Sequence, residues 1–134
     1  KNISSSDYKI SQDNYITKVY DSTKISTFLE KVSITSDNYQ FLDVKGNIIT
    51  DYNSLIQTGM ILKVNDENYT LVVRGDMNGD GKISLIDISK LVAHYSGIKG
   101  FILEDSYEKA CDINLDNSIS IIDISQLLVL FNKM

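Results

Sequence analysis

Residues 76–87 read Asp-Met-Asn-Gly-Asp-Gly-Lys-Ile-Ser-Leu-Ile-Asp. They place oxygen-bearing side chains at the first (Asp76), third (Asn78), fifth (Asp80), ninth (Ser84) and twelfth (Asp87) positions. The seventh residue, Lys82, offers only its backbone carbonyl, and Gly81 stands sixth, where the chain must turn sharply. Oxygens at these offsets suit a hard cation that takes six to eight oxygen ligands in a flexible shell, which is the chemistry of a calcium loop. A surface turn rich in Asp, Asn and Gly shares the composition but has no reason to keep the spacing.

The spacing returns. Residues 112–123 carry Asp112, Asn114, Asp116, Ser120 and Asp123 at the same five offsets, with Ser118 at the carbonyl position. Asn117 replaces the glycine, and asparagine is the side chain that best tolerates a left-handed backbone. The match continues through Ile-Ser-Leu-Ile-Asp-Ile-Ser-Lys-Leu-Val from residue 83 and Ile-Ser-Ile-Ile-Asp-Ile-Ser-Gln-Leu-Leu from residue 119. Such a duplication predicts two equivalent units and two Ca2+ ions.

Each loop needs a helix after it to hold its last ligands in place. Ile88, Leu91 and Tyr95 mark one face of a helix over about 85–96, stopped at Gly97. Ile124, Leu127 and Phe131 mark the equivalent face over roughly 121–132, and residues 103–110 suggest a short connecting helix. One apolar stripe is enough to cover a small core. These helices carry more: Leu85, Ile86, Val92 and Ala93 on the first, Ile121, Ile122, Leu128, Val129 and Leu130 on the second. Either a neighbouring segment covers the excess or it is a face for a protein partner. The stretch before loop one, residues 69–75, is strand-like and cannot be the entering helix of an ordinary EF-hand. Position 12 is Asp in both loops. Each unit therefore reads as a loop plus an exiting helix only, unlike a sensor that opens by moving paired helices.

Upstream of residue 75 the pattern is different. Residues 1–7 are polar and serine-rich and read as a linker or frayed end. Strands are predicted at 8–10 and 15–20, and a short helix at about 24–31 capped from 21–23. Further strands at 39–44 and 48–50 flank Lys-Gly-Asn, and those at 60–64 and 69–73 flank residues 65–68. The expected architecture is α+β: a small β-rich, β-grasp-like module over 1–74, then a helical calcium-loop domain over 75–134. No linker separates them, so the first is expected to buttress the second. Lys1 reads as a cut point within a longer, processed protein.

Composition narrows the function. A formal charge of −5 argues against nucleic acid. Six of the acidic residues lie in the two loops, so two divalent ions would bring the charge to about −1. No apolar run approaches the roughly 20 residues needed to span a membrane. Cys111 is the sole cysteine and reads as a buried structural thiol; His94 is the sole histidine and reads as solvated or interfacial. The carboxylates suited to acid–base work already belong to calcium spacing, so no enzyme is expected. Six tyrosines (Tyr8, Tyr15, Tyr20, Tyr39, Tyr52, Tyr69) leave open a carbohydrate-binding N-terminal module with a purely structural calcium tail.

The run 75–87, its copy at 112–123 and the helix after each resemble the dockerin family, type I in pattern, over about residues 75–133. That resemblance implies a secreted, non-catalytic module of three helices and two calcium ions. It binds a cohesin module and attaches its parent to a scaffoldin or cell surface, as in cellulosomes that degrade polysaccharides. It implies metal ligands at Asp76, Asn78, Asp80, Lys82, Ser84 and Asp87, and at Asp112, Asn114, Asp116, Ser118, Ser120 and Asp123. It also implies a cohesin face of Leu85, Ile86, Ser89, Lys90, Val92 and Ala93 in one repeat, and Ile121, Ile122, Ser125, Gln126, Leu128 and Val129 in the other. The tenth and eleventh loop positions, polar in familiar type I pairs, are aliphatic here, which implies a more hydrophobic interface. Matching repeats imply that either helix can be presented to one cohesin. The upstream unit resembles modules found before dockerins in clostridial secreted proteins.

Overall fold

The structure is a computed structural model that describes residues 2–133; the reading of Lys1 lies outside them. Its elements run β1 (Ile3–Ser4), β2 (Lys9–Ile10), β3 (Tyr15–Val19), α1 (Ile25–Glu30), β4 (Ser33–Ile34), β5 (Tyr39–Leu42), β6 (Ile48–Ile49), β7 (Ile61–Val64), β8 (Glu67–Val73), α2 (Leu85–Tyr95), α3 (Asp105–Lys109) and α4 (Ile121–Asn132). Strands therefore end where the calcium-type loops begin, and the described residues after β8 hold helices alone.

Six strands form one sheet in the order β2-β3-β8-β7-β5-β6. All neighbours are antiparallel except β3 and β8. A parallel neighbour needs a long crossover, and α1 lies on it. This order departs from a β-grasp, in which the strand leading into the helix lies at the edge; here that strand is β3, beside β8. The buried pattern explains the choice, because Ile16 and Val19 of β3 are fully buried against the most buried strand of the sheet. The β7–β8 hairpin turns on Asn65 and Asp66 alone, two residues rather than the four expected. Asn65 adopts φ 54°, the left-handed geometry that such tight turns favour and asparagine tolerates.

Two sequence readings need correction. Residues 1–7 are not a frayed linker in the described part: Ile3 is buried and pairs with Ile34, and the Asn2 N–H donates to Tyr69 Oη at 3.0 Å. One isoleucine in a serine-rich segment is enough to dock it on an apolar core. Nor is α1 capped by side chains of residues 21–23. Its first N–H groups, Ile25 and Ser26, donate to the carbonyls of Ser54 and Tyr52, both at 2.9 Å. Backbone from a distant loop satisfies these helix-end donors as well as a side chain would.

Two apolar cores share the sheet. Tyr69, Leu71 and Val73 point from β8 into a cluster with Ile16, Val19, Phe28, Phe41 and Leu62. Its aromatic rings interlock: Tyr8 stacks on Phe28 at 5.0 Å, while Tyr52 meets Phe41 edge-on at 5.7 Å. Val72, one residue out of phase, points the other way into a second cluster of Met77, Ile83, Leu91, Cys111, Ile113 and Leu127. Successive side chains on a strand face opposite sides, so β8 contributes to both cores. The Gly75 N–H donates to the Ala110 carbonyl at 2.9 Å and fastens the strand exit to the end of α3.

Candidate metal centre

The loops fold as oxygen-lined cups. Carboxylate oxygens of Asp76, Asp80 and Asp87 lie within 4.8 Å of one another, and so do those of Asp112, Asp116 and Asp123. Gly81 and Asn117 at the sixth positions have φ 81° and 67°, the left-handed turn that their residue types predict. The twelfth-position aspartates explain why the shorter acid stands there. Asp87 Oδ1 accepts the N–H groups of Met77 (2.9 Å) and Asn78 (3.1 Å), while Oδ2 accepts that of Ser84 (2.9 Å). Asp123 repeats this with Ile113 (2.8 Å), Asn114 (3.2 Å) and Ser120 (2.8 Å). Each is thus the third residue of its helix, closing a capping box and tying the loop's start to its end.

A metal fits this donor set. Asp76, Asp87 and Asp123 are fully buried, and crowded buried carboxylates call for a cation. Asn114 Oδ1 is buried without a hydrogen-bond partner, while its Nδ2 donates to Asp116 Oδ2 at 3.1 Å. An orphaned buried carbonyl oxygen is what an oxygen-seeking ion would satisfy. Asn78, Ser84 and Ser120 line the same cups half-buried, with Lys82 and Ser118 exposed at the carbonyl positions.

Proton and metal compete for these groups. Burial pushes the Asp76 carboxyl up to about 6, helped by nearby Asp87 and opposed by N–H donors from Thr58, Gly81 and Asp80. Burial raises Asp87 and Asp112 as well, whereas exposed Asp116 is lowered by the Ser118 N–H. A carboxyl with a raised folded pKa costs the fold most above that pKa, and the cost disappears as pH falls toward the unfolded value of about 3.9. The metal-free chain is therefore expected to melt at a higher temperature at pH 5 than at pH 7.5, and the gain from added calcium to shrink. Melting curves at both pH values check this; an equal calcium gain at each would contradict it.

The two loops are entered differently: loop one by β8, and loop two by α3, the connecting helix expected over 103–110, which ends three residues before Asp112. His94 is not solvated. Its side chain is nearly buried, Nδ1 accepts the Leu103 N–H at 2.9 Å, and Nε2 faces Glu108 at 3.5 Å. It pins α2 to the segment before α3. Cys111 is buried as expected, and burial pushes its thiol up to about 12, which disfavours the reactive thiolate.

The expected partner face is solvent-facing. Leu85 and Ile121 are 65 % and 64 % exposed, and Ile86, Ile122, Val92, Leu128 and Val129 are exposed with them. Ser89, Ser125 and Gln126 are exposed too; Lys90 and Ala93 are half-buried. Sequence reasoning missed the extension of this face. Ile98 and Phe101 complete an apolar groove with Leu85, Ile86, Ser89, Lys90 and Ala93. Gly97 and Ile98 end α2 in a Schellman motif, their N–H groups donating to His94 and Ala93 carbonyls at 3.1 Å, which turns Ile98 back onto the helix. The signal was available as an apolar residue directly after the stop glycine.

The fold and site thus define a duplicated calcium-loop-and-helix protein. Residues 74–131 match the family model of the dockerin type I domain. Dockerin domains bind calcium and interact with cohesins. Comparison with curated proteins and with solved structures gives no match.

Proposed function

We propose that this chain is a non-catalytic docking module. Its second half binds two calcium ions and a cohesin, thereby attaching a secreted parent protein to a scaffoldin or cell-surface complex. The N-terminal half buttresses it. The observation that carries this reading is that both carboxylate cups fall inside the matched segment, each followed by a helix with an exposed aliphatic face. Leu85, Ile86, Val92 and Ala93, or their counterparts Ile121, Ile122, Leu128 and Val129, would form the apolar centre of the interface. Ser89, Lys90, Ser125 and Gln126 would form its polar rim. Ile98 and Phe101 would add to it beside the first repeat. No helix among the described residues is long and apolar enough to cross a membrane.

Sugar binding by the N-terminal half has little to recommend it. Tyr8 and Tyr69 are buried, Tyr39 and Tyr52 pack on Phe41, and Lys109 lies over Tyr15. Tyr20 is exposed, but Arg74 lies over its ring at 4.1 Å. A flat aromatic platform is not offered. The test of the proposal is capture of proteins from the secreted and surface fraction on the immobilised chain, in calcium and in EDTA. Calcium-dependent capture of a cohesin-bearing protein is expected; retention on polysaccharide without any cohesin would overturn it.

A further inference from the structure

We infer that residues 55–59, outside the matched dockerin segment, form an outer wall of the first calcium loop and make it the tighter and first-filled of the two sites. This rests on the calcium reading proposed above. The two loops have nearly the same ligands but different surroundings. Asp76 Oδ2 accepts the Gly81 N–H at 2.9 Å and also the Thr58 N–H at 3.0 Å, while Oδ1 accepts those of Gly79 and Asp80, both at 3.0 Å. Its counterpart Asp112 has the N–H groups of Asp116 (3.1 Å) and Asn117 (2.8 Å), both from its own loop. Asp76 is fully buried and Asp112 half-buried.

Thr58 is itself fixed. Its Oγ1 accepts the Val73 N–H at 2.9 Å and donates to the Val73 carbonyl at 3.2 Å, so the donor to Asp76 is anchored on β8. The Gly81 carbonyl accepts the Ser22 N–H at 2.8 Å, a second tie to the N-terminal half. The wall also accounts for one of the differences between the loops, the glycine at the sixth position of the first. A Cβ on Gly81 would lie 2.6 Å from the Ile56 carbonyl, which forbids any side chain, whereas exposed Asn117 has room for one. A hydrogen bond that orients a ligating carboxylate before metal arrives commonly changes affinity about 10- to 100-fold. Orientation completed in the free protein need not be purchased on binding.

The test is a titration of the metal-stripped full chain with Ca2+ alone, following the amide resonances of Gly81 and Asn117. The Gly81 resonance is expected to complete its change first, with a Kd at least about tenfold smaller than that read at Asn117. Thr58→Val, which removes the clamp on β8, is expected to weaken the first site and leave the second unchanged; Thr58→Ser is expected to keep the gap. Should Thr58→Val fail to fold, the order of filling in the unaltered chain decides alone. Both resonances changing together, or Asn117 first, would overturn this inference and leave the calcium reading standing. No change in either loop would overturn both.

Discussion

Removal of calcium with EDTA is expected to loosen residues 75–133 while much of 8–73 stays folded. Six carboxylates in two cups repel one another without a cation, and three of them are fully buried. The loops' backbone N–H groups satisfy part of that charge, and calcium must supply the rest. At a free concentration a hundred times Kd, each ion adds about 2.7 kcal/mol to the state that binds it. Amide exchange in α4 and loop two is therefore expected to accelerate about a hundredfold or more on chelation. Protection in β3, β7 and β8 should persist, because their core is built from Ile16, Phe28, Phe41, Leu62 and Leu71 and uses no metal. Around loop one, Thr58 and Ser22 are expected to go on holding the chain from outside after chelation. A thermal melt unchanged by chelator would contradict the account.

Replacing both Ile86 and Ile122 with aspartate is expected to abolish cohesin binding, whereas either change alone should cost little. The two residues occupy the same position in the repeat, and both are more than half exposed, so neither change opens a cavity in the second core. If either helix can face the partner, loss of one leaves the other, which costs only about twofold in affinity. With both changed, every orientation buries an unpaired carboxylate in an apolar contact, and the expected loss is above about a hundredfold. Affinity measured for the two single variants and the double variant checks this. A large loss from one single change and none from the other would show that one repeat does the docking, the groove lined by Ile98 and Phe101 being the natural candidate.

The two carboxylate cups were legible in the sequence because their residue types repeat at fixed spacing. Ligand spacing, the turn glycine and its asparagine substitute all survive as geometry. Helix ends at Tyr95 and Asn132 were legible too, since a stop glycine or a sustained apolar period marks them. What sequence did not give away was set by contacts between distant segments. The donors that cap α1 meet carbonyls of Tyr52 and Ser54, which no local pattern announces. Ile3 docks only because Ser33 and Ile34 happen to present an edge. His94 looked like a surface residue beside Val92 and Ala93, yet the turn after α2 brings Leu103 back over it. The sheet order escaped for the same reason: strand patterning says which residues face the core but not which strand lies beside which.

The central claim is that calcium prepares this chain to hold a cohesin. Its most direct test is a calorimetric titration of the full chain with type I cohesin modules, once in calcium and once in EDTA. A one-to-one complex that forms in calcium and disappears in EDTA is the predicted result. Binding of equal strength in both buffers, or no binding to any cohesin in calcium, would contradict it.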